Sequence, residues 1–160
     1  MPAASRIRIV FEQEPPPSER YFIERGVDQH NVGVTNQPDY YPLAFVLKNE
    51  VGEVLGGLIG DVWGGWLHVA YLSVARPFRQ RGWARRLMQH AERYAISRGA
   101  HDAYLETFSF QARPFYEKLG YEVFGQLDDF PPGHTKYFLR KTLAHRRAPR
   151  ARRPARRRAP

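Results

Sequence analysis

The chain of 160 residues contains no cysteine, which excludes disulfides, thiolate metal sites and a cysteine nucleophile together. No metal is expected in the chemistry. The sequence has no long apolar run, so no membrane-spanning helix is expected. Its start, Met1-Pro2-Ala3-Ala4-Ser5-Arg6, lacks the apolar stretch of a secretory signal. The expected compartment is the cytoplasm, with no membrane contact. Two phosphate-loop patterns are also missing. Neither GxxxxGK[ST] nor GxGxxG occurs, so a Walker-type nucleotide site and a dinucleotide fold do not follow.

Acidic residues are absent from one segment. Residues 144–160 hold eight arginines, Arg146, Arg147, Arg150, Arg152, Arg153, Arg156, Arg157 and Arg158, and no acid. Eight of the nine net charges therefore sit there, which leaves +1 for residues 1–143. The basicity belongs to an appendage, and the domain at 1–143 is nearly neutral. Apart from one histidine, the tail is arginine, proline and alanine. Such a composition buries too little apolar surface to fold, so 144–160 is expected to be disordered. Electrostatic contact with nucleic acid is one use for it; a dispensable extension is the other. It carries no aromatic residue to stack on bases, which argues against sequence-specific reading.

What remains reads as mixed α/β. Ile7–Phe11 alternates with arginines as a first strand, and Ser18 is placed to cap a helix from about Glu19 that ends before the Asn/Gly/Pro-rich stretch 31–41. Strands follow over 41–47, 53–62 and 66–74, with Gly64-Gly65 as a tight hairpin turn. The period then changes: Ala84, Leu87, Met88, Ala91 and Ala95 form the apolar stripe of a helix over 82–97, closed by Gly99. A strand at 101–107, a short helix at 111–119, and strands at 121–127 and 135–140 complete the order. The reading is one α/β domain, a mostly antiparallel sheet of about seven strands with flanking helices. A strand–helix–strand crossover leads from the fourth strand to the fifth.

The strand 66–74 runs into Arg79-Gln80-Arg81-Gly82-Trp83-Ala84 and directly into a helix. The first turn of a helix has unsatisfied N–H groups and a dipole that favours negative charge. Gly82 and the small Ala84 allow close backbone approach, and Arg79 and Arg81 add charge-assisted bonds. By itself the segment is equally an ordinary strand–turn–helix junction with solvated arginines.

Here the sequence resembles the GNAT N-acetyltransferase family, whose pyrophosphate loop reads [Q/R]-x-x-G-x-[G/A]. Arg79, Gly82 and Ala84 match its fixed positions, with Ala84 in place of the last glycine. The family's second pattern, N-x-x-A-x-x-[L/F]-Y-x-x-x-G-[F/Y], falls on Ser109–Tyr121. Ala112, Phe115, Tyr116, Gly120 and Tyr121 match, at the expected separation. The resemblance covers about residues 6–143. It implies acetyl-CoA as co-substrate, with its pantetheine arm along the backbone of Leu72, Ser73 and Val74. It places the pyrophosphate on Arg79–Ala84, with further contacts at Ser109, Ala112 and Phe115. It also implies that Tyr116 protonates the leaving thiolate, a role that suits a phenol with a pKa of about 10. Two departures stand out: Ser109 replaces the usual asparagine and loses or shortens its contact, and Pro114 should shorten or bend the short helix.

The strand 66–74 has no carboxylate to take the amine proton. Glu106 is the first candidate base, followed by Asp61, His68 and Tyr71; ordered water is the alternative. For the acceptor, the loop Asp128–His134 offers Asp128, Asp129 and His134 to a cationic amine, or is a plain Pro/Gly turn. Tyr21, Phe22, Tyr40 and Tyr41 are candidate aromatic walls. The expected activity is transfer of acetyl from acetyl-CoA to a primary amine of a small molecule. A protein lysine or N-terminal amine is the alternative acceptor, and a non-catalytic acyl-CoA- or nucleic-acid-binding module the alternative class. A homodimer is expected on the resemblance alone.

Overall fold

The computed structural model describes residues 7–143, so the arginine tail and its expected disorder lie outside the described residues. The chain divides into two compact units, one ending at Pro38 and one beginning at Asp39. Among the described residues no helix is long and apolar enough to cross a membrane.

In the first unit, α1 spans Pro17–Thr35. The expectation of a Ser18 cap is corrected: Pro16 is the N-cap and Pro17 the first helical residue. Proline has its φ preset for that position and lacks an N–H that would be unsatisfied there in any case. The carbonyl of Pro16 accepts from the N–H groups of Glu19 and Arg20 at 3.0 and 3.1 Å. The helix also outlasts the expected stop, running through Asn31 and Gly33 until Asn36 closes it in the left-handed conformation. The strand expected at Ile7–Phe11 does not form. Alternation marks a candidate strand, but a strand also needs a ladder partner, and no ladder among the described residues includes 7–11.

The second unit holds a six-stranded sheet, one strand short of the expectation for that reason. Its elements are β1 (Tyr40–Lys48), β2 (Val54–Trp63), β3 (Trp66–Val74), α2 (Trp83–Ser97), β4 (Asp102–Phe108), α3 (Arg113–Glu117), β5 (Glu122–Asp128) and β6 (Thr135–Thr142). The spatial order is β1-β2-β3-β4-β6-β5. All neighbours are antiparallel except β3 and β4, which α2 joins by the expected crossover. The predicted turn Gly64-Gly65 links β2 to β3, with positive φ at both glycines. The amphipathic stripe of α2 buries Leu87, Met88, Ala91 and Ala95. Leu58, Leu67, Met88, Leu105 and Leu139 are each under 2% exposed, and burying such a side chain stabilises the fold by roughly 1.5–3 kcal/mol. The C-terminal end of α2 is a Schellman closure. Ala100 N–H donates to Ala95 O at 2.9 Å and Gly99 N–H to Ile96 O at 3.0 Å, the pattern that a left-handed Gly99 permits.

Candidate active site

Beyond Val69, β3 and β4 part. Their parallel pairing covers only Trp66–Val69 against Asp102–Leu105, although β3 continues to Val74 and β4 to Phe108. The break coincides with a β-bulge. Ile59 pairs with Tyr71 but Gly60 with Val69, so Ala70 is one extra residue on β3. Such a bulge bends its strand and increases its twist. A cleft of 580 Å³ opens between the strands, walled by residues 69–74 of β3, by Glu106 and Thr107, and by Phe110, Ala112, Phe115 and Tyr116. Leu72, Ser73 and Val74 thus stand on its wall, as expected. Beyond Val69, the edge of β3 that would face β4 has no strand partner among the described residues.

At the end of β3 the chain passes through a short 3₁₀ turn at Arg76–Phe78 and enters the loop ahead of α2. Gln80 has φ 60° and Gly82 φ 81°. Gly82 is the N-cap of α2 and, among the described residues, no side chain caps the helix. The first-turn N–H groups therefore remain available to a ligand. The guanidinium of Arg79 has a structural task, since its Nε donates to Val74 O at 2.8 Å and ties the loop to the end of β3. A second recess of 520 Å³ lies over this helix start, lined by Gln80, Gly82, Trp83, Ala84, Arg85 and Lys118 among others. Arg81 lies outside that lining, with its guanidinium 5.9 Å from the Phe78 ring centroid. Arg85 and Lys118 stand there instead, and the sequence reading had missed both. Arg85 did leave a signal. The first turn of α2 has no acid, and a cation there opposes the helix dipole unless an external anion joins it.

The segment after β4 is braced from several sides. Gln111 Oε1 accepts from the Phe108 N–H at 3.1 Å and from Thr107 Oγ1 at 3.2 Å. Ser109 N–H donates to Thr135 O at 2.8 Å, and Thr135 N–H donates to Ser109 Oγ at 3.2 Å. Ser109 therefore fastens this segment to β6 and is not on the cleft wall. The helix α3 is short, as expected, with Pro114 accommodated in its first turn. It sets Tyr116 into the core at 8% exposure, still touching the cleft. The rings of Phe115 and Tyr121 meet it edge-on at 5.1 and 6.2 Å. Burial pushes the Tyr116 phenol above its usual pKa, so Oη keeps its proton at neutral pH.

Among the candidate bases, Glu106 alone is an acid on the cleft wall. It is ion-paired: Lys136 Nζ lies 2.9 Å from Oε2. Asp61 and His68 pair with each other at 3.3 Å (Oδ1 to Nδ1), and the His68 ring stacks on Tyr104 at 4.6 Å. Neither is on the cleft wall, whereas Tyr71 is. Tyr104 has a raised pKa because of burial first, then the charges of Asp61 and Glu106. The acids of the acceptor loop are occupied with the loop itself. Asp129 Oδ1 accepts from the Gly133 N–H at 2.7 Å, and Asp128 Oδ1 accepts from Gln126 Nε2 at 2.9 Å. Neither lines the cleft. His134 lies nearer, with its ring 4.8 Å from that of Phe110.

A parallel strand pair that separates over an anion-ready helix start, with a buried phenol on the opposite wall, defines an acyl-group transferase of the GNAT architecture. Residues 5–121 match the profile of the acetyltransferase (GNAT) family, and the chain belongs to that family as an N-acetyltransferase. It is 41% identical over 95 residues to a blasticidin-S acetyltransferase of Streptomyces morookaense, covering 59% of this chain and 70% of that one. Among solved structures, an acetyltransferase from Bacillus cereus superposes with a TM-score of 0.73 at 30% identity, covering 83% of this chain and 97% of its own. A second, from Agrobacterium tumefaciens, gives 0.80 at 28% identity, with 85% and 99% covered.

Proposed function

We propose that the enzyme takes its acetyl group from acetyl-CoA and delivers it to the primary amine of a small molecule. The observation that carries this reading is continuity: the cleft and the cationic recess share Val74, Arg79, Ala84 and Phe115 in their walls. A ligand with an anionic end and a long amide-bearing arm suits such a pair of spaces. The residues present fit it. The uncapped start of α2 with Arg85 and Lys118 would hold the phosphates, and the unpaired edge of β3 would hold the arm. Acetyl-CoA would supply the acetyl group already activated as a thioester. Tyr116 then keeps a proton on Oη within the cleft, available to a departing sulfur. Because Glu106 is already matched by Lys136, we assign the amine proton to solvent in the cleft. The acceptor class draws on the Streptomyces morookaense relative, which is named for blasticidin S.

The test is thiol release from acetyl-CoA across a panel of primary amines, with acetyl-CoA binding measured by calorimetry. Turnover on small amines is the expected result. Binding with turnover only on peptide amines would move the acceptor to proteins, and absence of acetyl-CoA binding would overturn the reading.

A further inference from the structure

The cleft has an aromatic mouth. Phe110 is 56% exposed and lines the cleft. One side of its ring stacks on Phe108, with centroids 5.2 Å apart and planes at 12°, and His134 meets it edge-on at 4.8 Å. Phe130 packs against Phe108 at 5.9 Å and is itself 47% exposed. A phenylalanine this exposed in a concave site leaves a flat apolar surface in water, which favours a flat partner.

The charge at this mouth is already cancelled. Lys136 Nζ is 2.9 Å from Glu106 Oε2 and lies 5.8, 5.6 and 5.3 Å from the ring centroids of Phe108, Phe130 and Phe138. Its side chain is only 18% exposed, so the ammonium is held in place by its carboxylate and three rings. A second cation on the acceptor would gain Glu106 and meet Lys136, with little net attraction. An uncharged planar group has no such conflict.

We infer that the acceptor carries, besides its reacting amine, an uncharged aromatic or heteroaromatic ring that lies against Phe110, with Glu106 accepting a hydrogen bond from it. This makes Glu106 a positioning residue for the acceptor. The inference rests on the acetyl-transfer reading above.

Three primary amines test it at saturating acetyl-CoA: an arylethylamine, its cyclohexyl analogue and a linear diamine. The arylethylamine should exceed the cyclohexyl compound in kcat/KM by about tenfold. Phe110→Ala and Phe110→Leu should both abolish that preference, with the loss of kcat/KM for the arylethylamine exceeding any change in KM for acetyl-CoA. Lys136→Met should leave Glu106 unmatched and move preference toward the diamine by about tenfold. Equal kcat/KM for the aryl and cyclohexyl amines overturns the inference, as does a Phe110 effect on acetyl-CoA alone. If nothing turns over, calorimetric titration of the arylethylamine into the protein, with and without CoA, reads the same contact. Binding lost in Phe110→Ala supports the inference and no binding refutes it, whereas a failure to bind acetyl-CoA counts against the donor reading instead.

Discussion

A phenol that gives a proton to a departing sulfur must first keep it at neutral pH, and burial of Tyr116 ensures that it does. Tyr116→Phe should lower kcat roughly a hundredfold with the acetyl-CoA Kd unchanged by calorimetry; unchanged turnover would remove the acid role. Arg79 makes a different kind of prediction. Its Nε bond to Val74 O is a geometric brace that lysine cannot reproduce in the same position. Arg79→Lys should therefore raise KM for acetyl-CoA about tenfold although the charge is kept; a near-normal KM would mean that only the charge matters. The residues legible in the sequence, Arg79, Gly82, Ala112, Phe115 and Tyr116, are those whose place depends on local backbone or motif register. Lys136 and Thr107 were not legible. Lys136 meets Glu106 and Thr107 lies opposite Tyr137 because β4 pairs with β6, across about thirty residues, and no local pattern records which strand will lie beside which.

At the scale of elements, periodicity found α2 and all six strands of the sheet, because alternation and the helical stripe are consequences of burying one face. It failed at 7–11, where alternation had no partner strand, and at the end of α1, where Asn and Gly suggested a stop before Asn36 supplied one. Periodicity does not show the bulge at which β3 parts from β4 either, since a bulge changes pairing without changing residue type. Its partner strand shows how tight the arrangement is. A Cβ on Gly60 would lie 2.2 Å from His68 O, backbone that cannot step aside without disturbing the ladder. Gly60→Ala should cost about 2–3 kcal/mol of unfolding free energy, read from denaturant melts, and should weaken acetyl-CoA binding as the bulge shifts.

For the whole molecule, two buried phenols set a limit at high pH. Tyr121 is pushed up by burial first, then by the charge of Glu92 and its hydrogen bond at 3.1 Å; burial alone raises Tyr116. An unfolded chain releases these protons near pH 10 while the folded one retains them. Their contribution is thus complete below about pH 10 and is lost as pH rises toward the folded values. Melts across that range should show falling stability, with a shallower slope in Tyr121→Phe. Residues 144–160 carry eight arginines and no acid. Their removal should leave acetylation of a small amine intact, and any salt-sensitive binding to nucleic acid should disappear with them.

Ala70 contributes only a methyl group, yet as a counted position it is the surplus residue of the bulge at which β3 and β4 part. Leu67 and Val69 point to the core before it, Leu72 and Val74 after it. Deleting Ala70 would leave that inward alternation in step and let β3 continue as a regular strand beside β4. The shortened protein should melt no lower than its parent and bind no acetyl-CoA. Substitutions at Ala70 should do far less, because the bulge is made by one surplus residue and not by its side chain.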